Sequence, residues 1–406
     1  MITLKTIAII EENWKGHRPT YLKVFTKMLL ELGHQVIAFC PKPLELTEWV
    51  AFNCPNYQEQ FQVFECQTPE PSSFRINGIR TALNAVKRWY YAKASIQYAS
   101  SKIGKVPDLV FFPWLDSCLA PYLLHHIVDN IFPYPWSGLY VQPRHLRLKQ
   151  KFWSINRGPL KPHAALKSSN CPAVAVLDEG IANQLQSKIN GKTVITFPDF
   201  TDESAPDLNW SIVKQIQAKA KRKKIIGLLG IQSQRKGVLT LLEVAQQMVK
   251  QDYVFVFAGQ LSKHSYTYQE QARLQTLIDR KLPNCFFYFE RIPDEAKFNA
   301  LVSTCHILFA AYHDFPHSSN ILTKAAVCEK PVIVSSKFCM AERVRKFKLG
   351  LTINEGDVLQ CIYTIGRLCS QLDNYNQQVQ PDFDGYRRLH STDQLPEKLQ
   401  SILTSI

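Results

Sequence analysis

Lys224-Ile225-Ile226-Gly227-Leu228-Leu229-Gly230-Ile231-Gln232-Ser233-Gln234-Arg235-Lys236-Gly237 is the stretch on which the fold turns. Its first half, Ile225–Gly230, is a short apolar run bounded by glycine and reads as a buried strand. A polar loop follows, and helical spacing begins near 238–250. Strand, loop and helix in that order are the repeating unit of an α/β protein. The loop places two adjacent cations, Arg235 and Lys236, at the carboxyl end of the strand. Gly230 beside them permits close backbone approach, and that combination suits a diphosphate. The Gly-Lys-Ser/Thr of a P-loop is missing, and no GxGxxG occurs anywhere in the chain. An ordinary strand–helix loop with two solvated cations remains the plainer alternative.

The same rhythm extends outward in both directions. Downstream, residues 253–259, 285–290, 306–312 and 331–335 read as strands, with helices near 266–281, 294–304 and 319–328. Upstream, strands are expected at 6–11, 35–41, 62–66, 108–114, 138–143, 172–178 and 193–198. A helix over 21–32 stops at Gly33. Between the halves lies the polar stretch 201–224, ending in Lys219-Ala220-Lys221-Arg222-Lys223-Lys224, which reads as a linker with a solvated helix. The expected organisation is a first domain over 1–200, a linker over 201–224, a second domain over 225–380, and a tail with a final helix over 381–406. Both domains read as Rossmann-like, doubly wound parallel sheets facing across a cleft. Ligands in such folds bind where strand ends lead into helices.

Composition agrees with this organisation. The chain has 406 residues, 46% of them hydrophobic and 20% charged, which excludes disorder and leaves ample material for two cores. The 48 Lys and Arg against 34 Asp and Glu leave a net +14, so an anionic partner is expected: a phosphorylated small molecule, a lipid surface or nucleic acid. Eleven scattered cysteines contain no CxxC pair, which argues against zinc or redox motifs and for a reduced, cytoplasmic setting. No signal peptide is read at the N-terminus, and no run of about 18 apolar residues occurs. Attachment to a membrane would be at its surface, on the inner face.

A second motif runs Asp314-Phe315-Pro316-His317-Ser318-Ser319-Asn320-Ile321-Leu322-Thr323-Lys324-Ala325-Ala326. It follows the strand at 306–312 and enters a helix. Ser318, Ser319 and Asn320 are N-cap types, so free backbone N–H groups are expected to point into the cleft, where they would hold an anion. Simple helix capping explains the serines and asparagine equally well. It does not explain why His317 and Lys324 join them.

Together these elements make the second half resemble the donor half of GT-B glycosyltransferases, in particular the retaining family four, or glycosyl transferase group 1, type. The matching pieces are Gly230 with Lys236-Gly237, and the strand 254–259 ending in Ala258-Gly259. After them come Glu290-Arg291-Ile292-Pro293-Asp294-Glu295, then the strand 306–312 leading to Ser318–Ala326, then Pro331-Val332-Ile333-Val334. They stand in the family's order over about 150 residues. The first half agrees more loosely, through the loop with Gly16-His17, through Leu32-Gly33-His34-Gln35-Val36, and through Ala175–Asp178 and Phe197-Pro198-Asp199. Two departures stand out. The family's Arg just after the first glycine is Ile231 here, with Arg235 as the substitute charge. The two glutamates of the family's second motif are replaced by Pro316 and Lys324. In the family the second of these holds the donor ribose, and a lysine cannot accept hydrogen bonds from hydroxyls. Asp314 is the candidate to reach the sugar instead.

The resemblance implies a nucleotide-sugar donor, a glycan or lipid-linked hydroxyl acceptor, and no cofactor or metal. Charge growing on the departing diphosphate would be neutralised by Arg235, Lys236 and helix N–H groups. Retaining members are thought to let the leaving phosphate assist the acceptor hydroxyl. Substrate-binding positions are then expected at Gly16, Gly230, Arg235, Lys236, Gly237, Gly259, Ile292, His317, Ser318, Ser319, Asn320 and Lys324, and catalytic ones at His17, His145 and Asp314. The setting implied is a polysaccharide or glycolipid pathway. A degenerate relative that binds sugar or phosphate without turnover is the second reading, marked by Lys324.

Fourteen cations lie in two acid-free runs of the first half, seven in each. One, between Glu70 and Asp108, holds Arg75, Arg80, Lys87, Arg88, Lys93, Lys102 and Lys105. There Ile76, Ile79, Leu83, Val86 and Tyr90 form an apolar helical stripe, to be either packed on the core or laid on anionic lipid. The other, from Asp129 to Asp178, interleaves Arg144, Arg147, Lys149, Lys151, Arg157, Lys161 and Lys167 with Phe152 and Trp153, and suits a phosphorylated acceptor. Single-stranded nucleic acid fits that pattern too, but no RRM, KH or helix-turn-helix signature accompanies it, so no nucleic-acid partner is expected.

Overall fold

A computed structural model describes residues 4–148, 161–189 and 191–406. The chain divides into two units, Met1–Pro198 with Thr392–Ile406, and Asp199–Ser391. The first unit is built on seven strands: β1 (Thr6–Ile10), β2 (Gln35–Cys40), β3 (Phe61–Glu65), β4 (Leu109–Phe112), β5 (Trp136–Tyr140), β6 (Ala173–Val176) and β7 (Thr193–Thr196). They lie in the order β3-β2-β1-β4-β5-β6-β7, and each pairing is parallel. The second unit has β8 (Lys224–Leu229), β9 (Tyr253–Ala258), β10 (Cys285–Tyr288), β11 (Ile307–Ala310), β12 (Val332–Ser335) and β13 (Gly350–Ile353). Their order, β10-β9-β8-β11-β12-β13, is again parallel throughout.

Parallel strands carry helices on both faces, so their residues are buried on both sides and read as continuous apolar runs. Every residue of β1, β4 and β11 is buried, which is why periodicity of two is absent from them. In the first unit the long helix Asn77–Ile103 covers one face. Its Trp89 is fully buried, with ring centroids 4.8 Å from Trp136 and 5.3 Å from Phe112. All eleven cysteines are free and nine are buried; burial pushes Cys66, Cys171, Cys285, Cys305 and Cys361 up to about 12, so they pack as small apolar groups.

Among the described residues, twelve of the thirteen strands are visible in the sequence to within about three residues. The thirteenth, β13, is only half-buried at the sheet edge and begins with glycine, so it gives neither an apolar run nor an alternation. Two domain boundaries differ from expectation. The stretch 201–224 is not a free linker: helix Ser211–Ala220 buries Val213, Ile216 and Ala220 in the core of the second unit, packing on β9, β10 and helix Glu295–Thr304. The final segment does not stay with the second unit. Helix Leu395–Leu403 buries Leu395, Leu399, Ile402 and Leu403, packing against helix Arg18–Glu31 and β7, and Lys5 Nζ donates to the Leu403 carbonyl at 2.8 Å.

In each sheet the winding reverses once, between β1 and β4 in the first unit and between β8 and β11 in the second. Connections leave these neighbours in opposite directions, so a crevice opens at their carboxyl ends. Those two places are where a site is to be sought.

Candidate active site

In the second unit the crevice is walled by the loops after β8 and β11. Gly230 leaves β8 with φ +86°, and a Cβ there would lie 2.7 Å from Lys236 Nζ, so glycine makes room for the lysine head. Lys236 Nζ donates to the Leu229 carbonyl at 2.7 Å and sits 5.5 Å from the centre of the Tyr312 ring. The Arg235 guanidinium lies 4.4 Å from the Phe315 ring centre, and the Arg235 carbonyl accepts from the His313 N–H at 2.7 Å. Aromatic faces attract cations by about 0.5–1 kcal/mol when exposed, more when dry, so the rings help to hold both charges in place. Gly237, at φ +74°, opens helix Val238–Gln247; a Cβ there would press on the Ala311 carbonyl at 2.9 Å. Gly259, at φ +126°, ends β9 against Gly230, whose carbonyl oxygen would be 2.2 Å from any Cβ at 259.

Gln232 escaped sequence reasoning because a polar loop residue looks like solvent-facing filler. It is fully buried, and its Nε2 donates to the carbonyls of Leu228, Gly230 and Ala258 at 3.0, 2.8 and 3.0 Å, tying the ends of β8 and β9 together. His313, also missed, approaches Thr240 Oγ1 with its Nε2 at 3.4 Å. Asp314 is exposed with φ +44°, and its N–H donates to Glu355 Oε2 at 3.2 Å. Ile292 is half-buried after β10, packed against the core.

The second motif departs from expectation. Asn320 holds the N-cap position of helix Ile321–Val327 but makes no side-chain cap bond, so simple capping does not account for this segment. Ser318 instead donates to the Asp199 carboxylate, receives a bond from Arg343 Nη1, and so joins a buried network. Arg343 Nη1 lies 3.3 Å from Asp199 Oδ2 and 3.5 Å from Tyr386 Oη, while His390 Nδ1 accepts from the Asp199 N–H at 3.1 Å. Burial, with the Arg343 and Lys346 charges, lowers His390 to about 2, so it acts as a neutral acceptor. His317 is buried, edge-on to Phe315 with centroids 5.5 Å apart. Ser319 is half-buried, and its carbonyl accepts from Leu322.

Lys324 is 1% exposed. Its ammonium is 2.9 Å from Glu295 Oε2, donates to Asn299 Oδ1 at 2.6 Å and to the Asp202 carbonyl at 3.3 Å, and lies 5.1 Å from the Phe298 ring centre. A buried ammonium needs such partners. The side chain is therefore turned toward helix Glu295–Thr304 as an internal brace.

The first unit's crevice is different in character. Glu11, immediately after β1, is 2% exposed. Burial raises its carboxyl to about 7, in spite of Arg18, whose Nη1 lies 2.8 Å from Oε1. Arg18 in turn stacks on Trp114 at 4.8 Å. Glu12 is paired with Arg88 Nε, and Arg88 Nη1 donates to the Ser117 carbonyl at 3.2 Å. Between them lies a cavity of about 20 Å³, lined by Glu11, Glu12, Arg88 and Trp114 among others, room for roughly one water. Asp116 accepts from the N–H groups of Val141 at 2.9 Å and Gln142 at 2.7 Å, and burial raises it to about 6. Sequence reading missed this cluster because its members are scattered from Glu11 to Gln142 and only the fold gathers them.

Gly16 and His17 form the exposed turn into helix Arg18–Glu31, with Gly16 at φ +62° and the His17 carbonyl accepting from Tyr21 at 3.1 Å. His145, after β5, has Nε2 2.6 Å from His163 Nδ1 and Nδ1 3.5 Å from Tyr140 Oη. Burial, then His163, Lys161 and Lys188, lowers His145 to about 3, and His163 falls to about 4. Both rings are neutral at pH 7, so His145 is no ready proton donor. Arg147 is bound to Asp178 through two nitrogens, Nε at 2.7 Å and Nη2 at 2.5 Å. Lys149, Lys151, Phe152, Trp153 and Arg157 of the second basic run lie outside the described residues.

Two Rossmann-like units, each wound from a single parallel sheet, define a chain of the GT-B fold. Residues 211–378, within the second unit, match the family model described as glycosyl transferases group 1. Among solved structures, the sucrose-phosphate synthase of Thermosynechococcus elongatus is similar at TM-score 0.69 and 15% identity, over 98% of each chain. A glycosyltransferase from Rickettsia africae is similar at TM-score 0.65 and 14% identity, over 98% of this chain and 97% of that one. HepE of Anabaena, in complex with UDP-glucose, is similar at TM-score 0.62 and 12% identity, over 99% and 100%. No curated protein sequence matches the chain. Among the described residues no helix is long and apolar enough to cross a membrane.

Proposed function

We propose that the protein transfers a hexosyl group from a nucleotide-sugar to a hydroxyl acceptor, with retention at the anomeric carbon, without a metal, in the assembly of a polysaccharide or glycolipid. The observation that carries this reading is the placement of Arg235 and Lys236 at the carboxyl end of β8, beside Gly230, within the residues that match the family. As the bond to the sugar breaks, charge accumulates on the departing diphosphate. Two fixed cations against aromatic rings stabilise that charge more than they stabilise the bound donor. The carboxyls and arginines after β1 supply hydrogen-bonding groups suited to sugar hydroxyls, with Trp114 as an apolar face. Asp314, exposed at the crevice loop, is retained as the group that reaches the donor sugar. UDP-glucose is the first donor to try, since the similar HepE structure holds it.

The test is turnover and binding with UDP-, GDP- and ADP-glucose, in the presence and absence of a chelator. Release of nucleoside diphosphate by the protein, undiminished by the chelator, supports the proposal. Failure of every donor to bind at millimolar concentration would overturn it. The second reading, a sugar- or phosphate-binding scaffold, is favoured by Lys324: the carboxylate that holds the donor ribose in the family is absent, and the lysine in its place is engaged internally. Tight nucleotide binding with neither transfer nor hydrolysis is the outcome that selects it.

A further inference from the structure

Of the apolar stripe expected on helix Asn77–Ile103, Val86 packs against the core and the other members do not. The core face is Ala85, Trp89, Ala92, Ile96 and Ala99, small residues around one large ring. Ile76, Ile79, Leu83 and Tyr90 are turned outward instead, and Tyr91 and Tyr98 join them, all between 39% and 59% exposed. Ile76, Ile79, Leu83, Lys87 and Tyr90 ascend one outer stripe at steps of three and four. Arg80, Lys87, Tyr91, Tyr98 and Lys102 ascend the neighbouring one at steps of four and seven. From Glu70 to Asp108 no acid interrupts them. Arg88 is turned inward, to Glu12 and the Ser117 carbonyl, and Lys105 donates to Gln35 Oε1 at 2.8 Å, so neither belongs to this surface. Phe74 and Arg75, both exposed, extend the patch beyond the helix N-terminus.

We propose that this outer face docks on an anionic lipid surface. The occupant follows from charge and geometry together. A helix of 27 residues is about 40 Å long and offers its cations in a row, which suits a plane of negative headgroups. The isoleucines and leucine provide apolar area to enter the boundary below the headgroups, and tyrosines prefer that boundary because one end of the ring is apolar and the other polar. A purely solvent-facing helix would not carry three large aliphatic side chains on its outer stripe, and a soluble acidic partner would not need them. The inference stands apart from the proposed transfer reaction: of the residues of this face Tyr91 also lines the cavity beside Glu11 and Glu12, and the variants below leave it in place.

The experiment is co-sedimentation of the full chain with phosphatidylcholine vesicles, with and without phosphatidylglycerol, at low and high salt. The expected result is binding to the anionic vesicles that weakens with salt. Arg80→Glu/Lys87→Glu/Lys102→Glu should reduce it at least about 10-fold, since each cation near such a surface contributes about 1 kcal/mol. Ile79→Ser/Leu83→Ser/Tyr90→Ser should weaken it at both salt concentrations. All six positions lie off the core face, and an unchanged thermal midpoint confirms folding of each variant. Wild-type protein that stays in the supernatant, or binds neutral vesicles equally, overturns the proposal. So does either variant binding as wild type does. A wild-type dimer abolished by the serine variant would show that a second copy, not lipid, covers this face.

Discussion

The two sheets share the strand order 3-2-1-4 around their point of reversal, yet the crevices opened there hold opposite chemistry. After β1 the chain continues Glu11-Glu12-Asn13; after β8 it continues Gly230-Ile231-Gln232. In the first unit a carboxyl fills the space at the strand end and draws in Arg18. In the second a glycine leaves that space empty, and Lys236 occupies it from six positions downstream. The winding places each crevice, and the residue just past the strand sets its charge: a carboxyl in the first unit, room for a lysine in the second.

The largest expected effect comes from refilling the space. Gly259→Ala forces a Cβ toward the Gly230 backbone and into a left-handed conformation, two penalties with no flexible neighbour to relieve them. The expected loss is about 4 kcal/mol, read as a shift in the denaturant midpoint. An unchanged midpoint would mean that the close approach of β8 and β9 is not what keeps the second crevice open.

Next is Lys324→Glu. If position 324 faced a donor ribose, the substitution would restore a family-like contact and strengthen nucleotide binding. The observed pairing predicts the reverse, because the new carboxylate would meet Glu295 in a largely buried place. A destabilisation of about 3 kcal/mol is expected, with Lys324→Met milder. Tighter nucleotide binding by a stably folded Lys324→Glu protein would show that the lysine is a misplaced donor contact and not a brace.

This lysine also marks the limit of what the sequence discloses. Strands and their order of appearance are legible because burial on both faces leaves unbroken apolar runs, as in Ile225–Leu229 and Leu109–Phe112. The Arg235-Lys236 loop is legible because its members are adjacent. Lys324 is named by its place in a motif, but its direction depends on Glu295 and Asn299, about 25 positions away. The Glu11–Arg18–Trp114 and Asp199–Ser318–Arg343 groupings are assembled by topology across a hundred residues or more, and no local pattern announces them. Helix Asn77–Ile103 shows a third way to misread: most of its expected apolar stripe faces out, while Ala85, Trp89, Ala92, Ile96 and Ala99 turn to the core.

Removing the charge from the second crevice separates catalysis from fold. Lys236→Ala should lower kcat/KM for a nucleotide-sugar by about 100-fold, the usual loss when one preorganised group that stabilises developing charge is deleted. Its thermal midpoint should move little, because the side chain makes a single hydrogen bond to Leu229. Steady-state kinetics beside a melting curve distinguishes the two. A parallel drop in both would assign Lys236 to stability alone.

Removing the charge from the first crevice should have a smaller effect, visible only as a pH dependence. Burial pushes the Glu11 carboxyl up to about 7 in the folded chain, against 4.5 for an ordinary glutamate. Between those values the folded chain holds a proton that the unfolded chain has released, so stability falls as pH rises through this window. Below about pH 4.5 both states are protonated and the penalty vanishes; above about 7 it is complete, on the order of 2 kcal/mol once the coupling to Arg18 is discounted. Glu11→Gln keeps the shape and removes the proton. Its stability relative to wild type should therefore increase from pH 4.5 to 7.5 in urea titrations, by roughly that amount. A difference that stays flat across the window would mean that Arg18 holds Glu11 ionised throughout, and the two crevices would then differ in the sign of their charge but not in their readiness to share a proton with a hydroxyl.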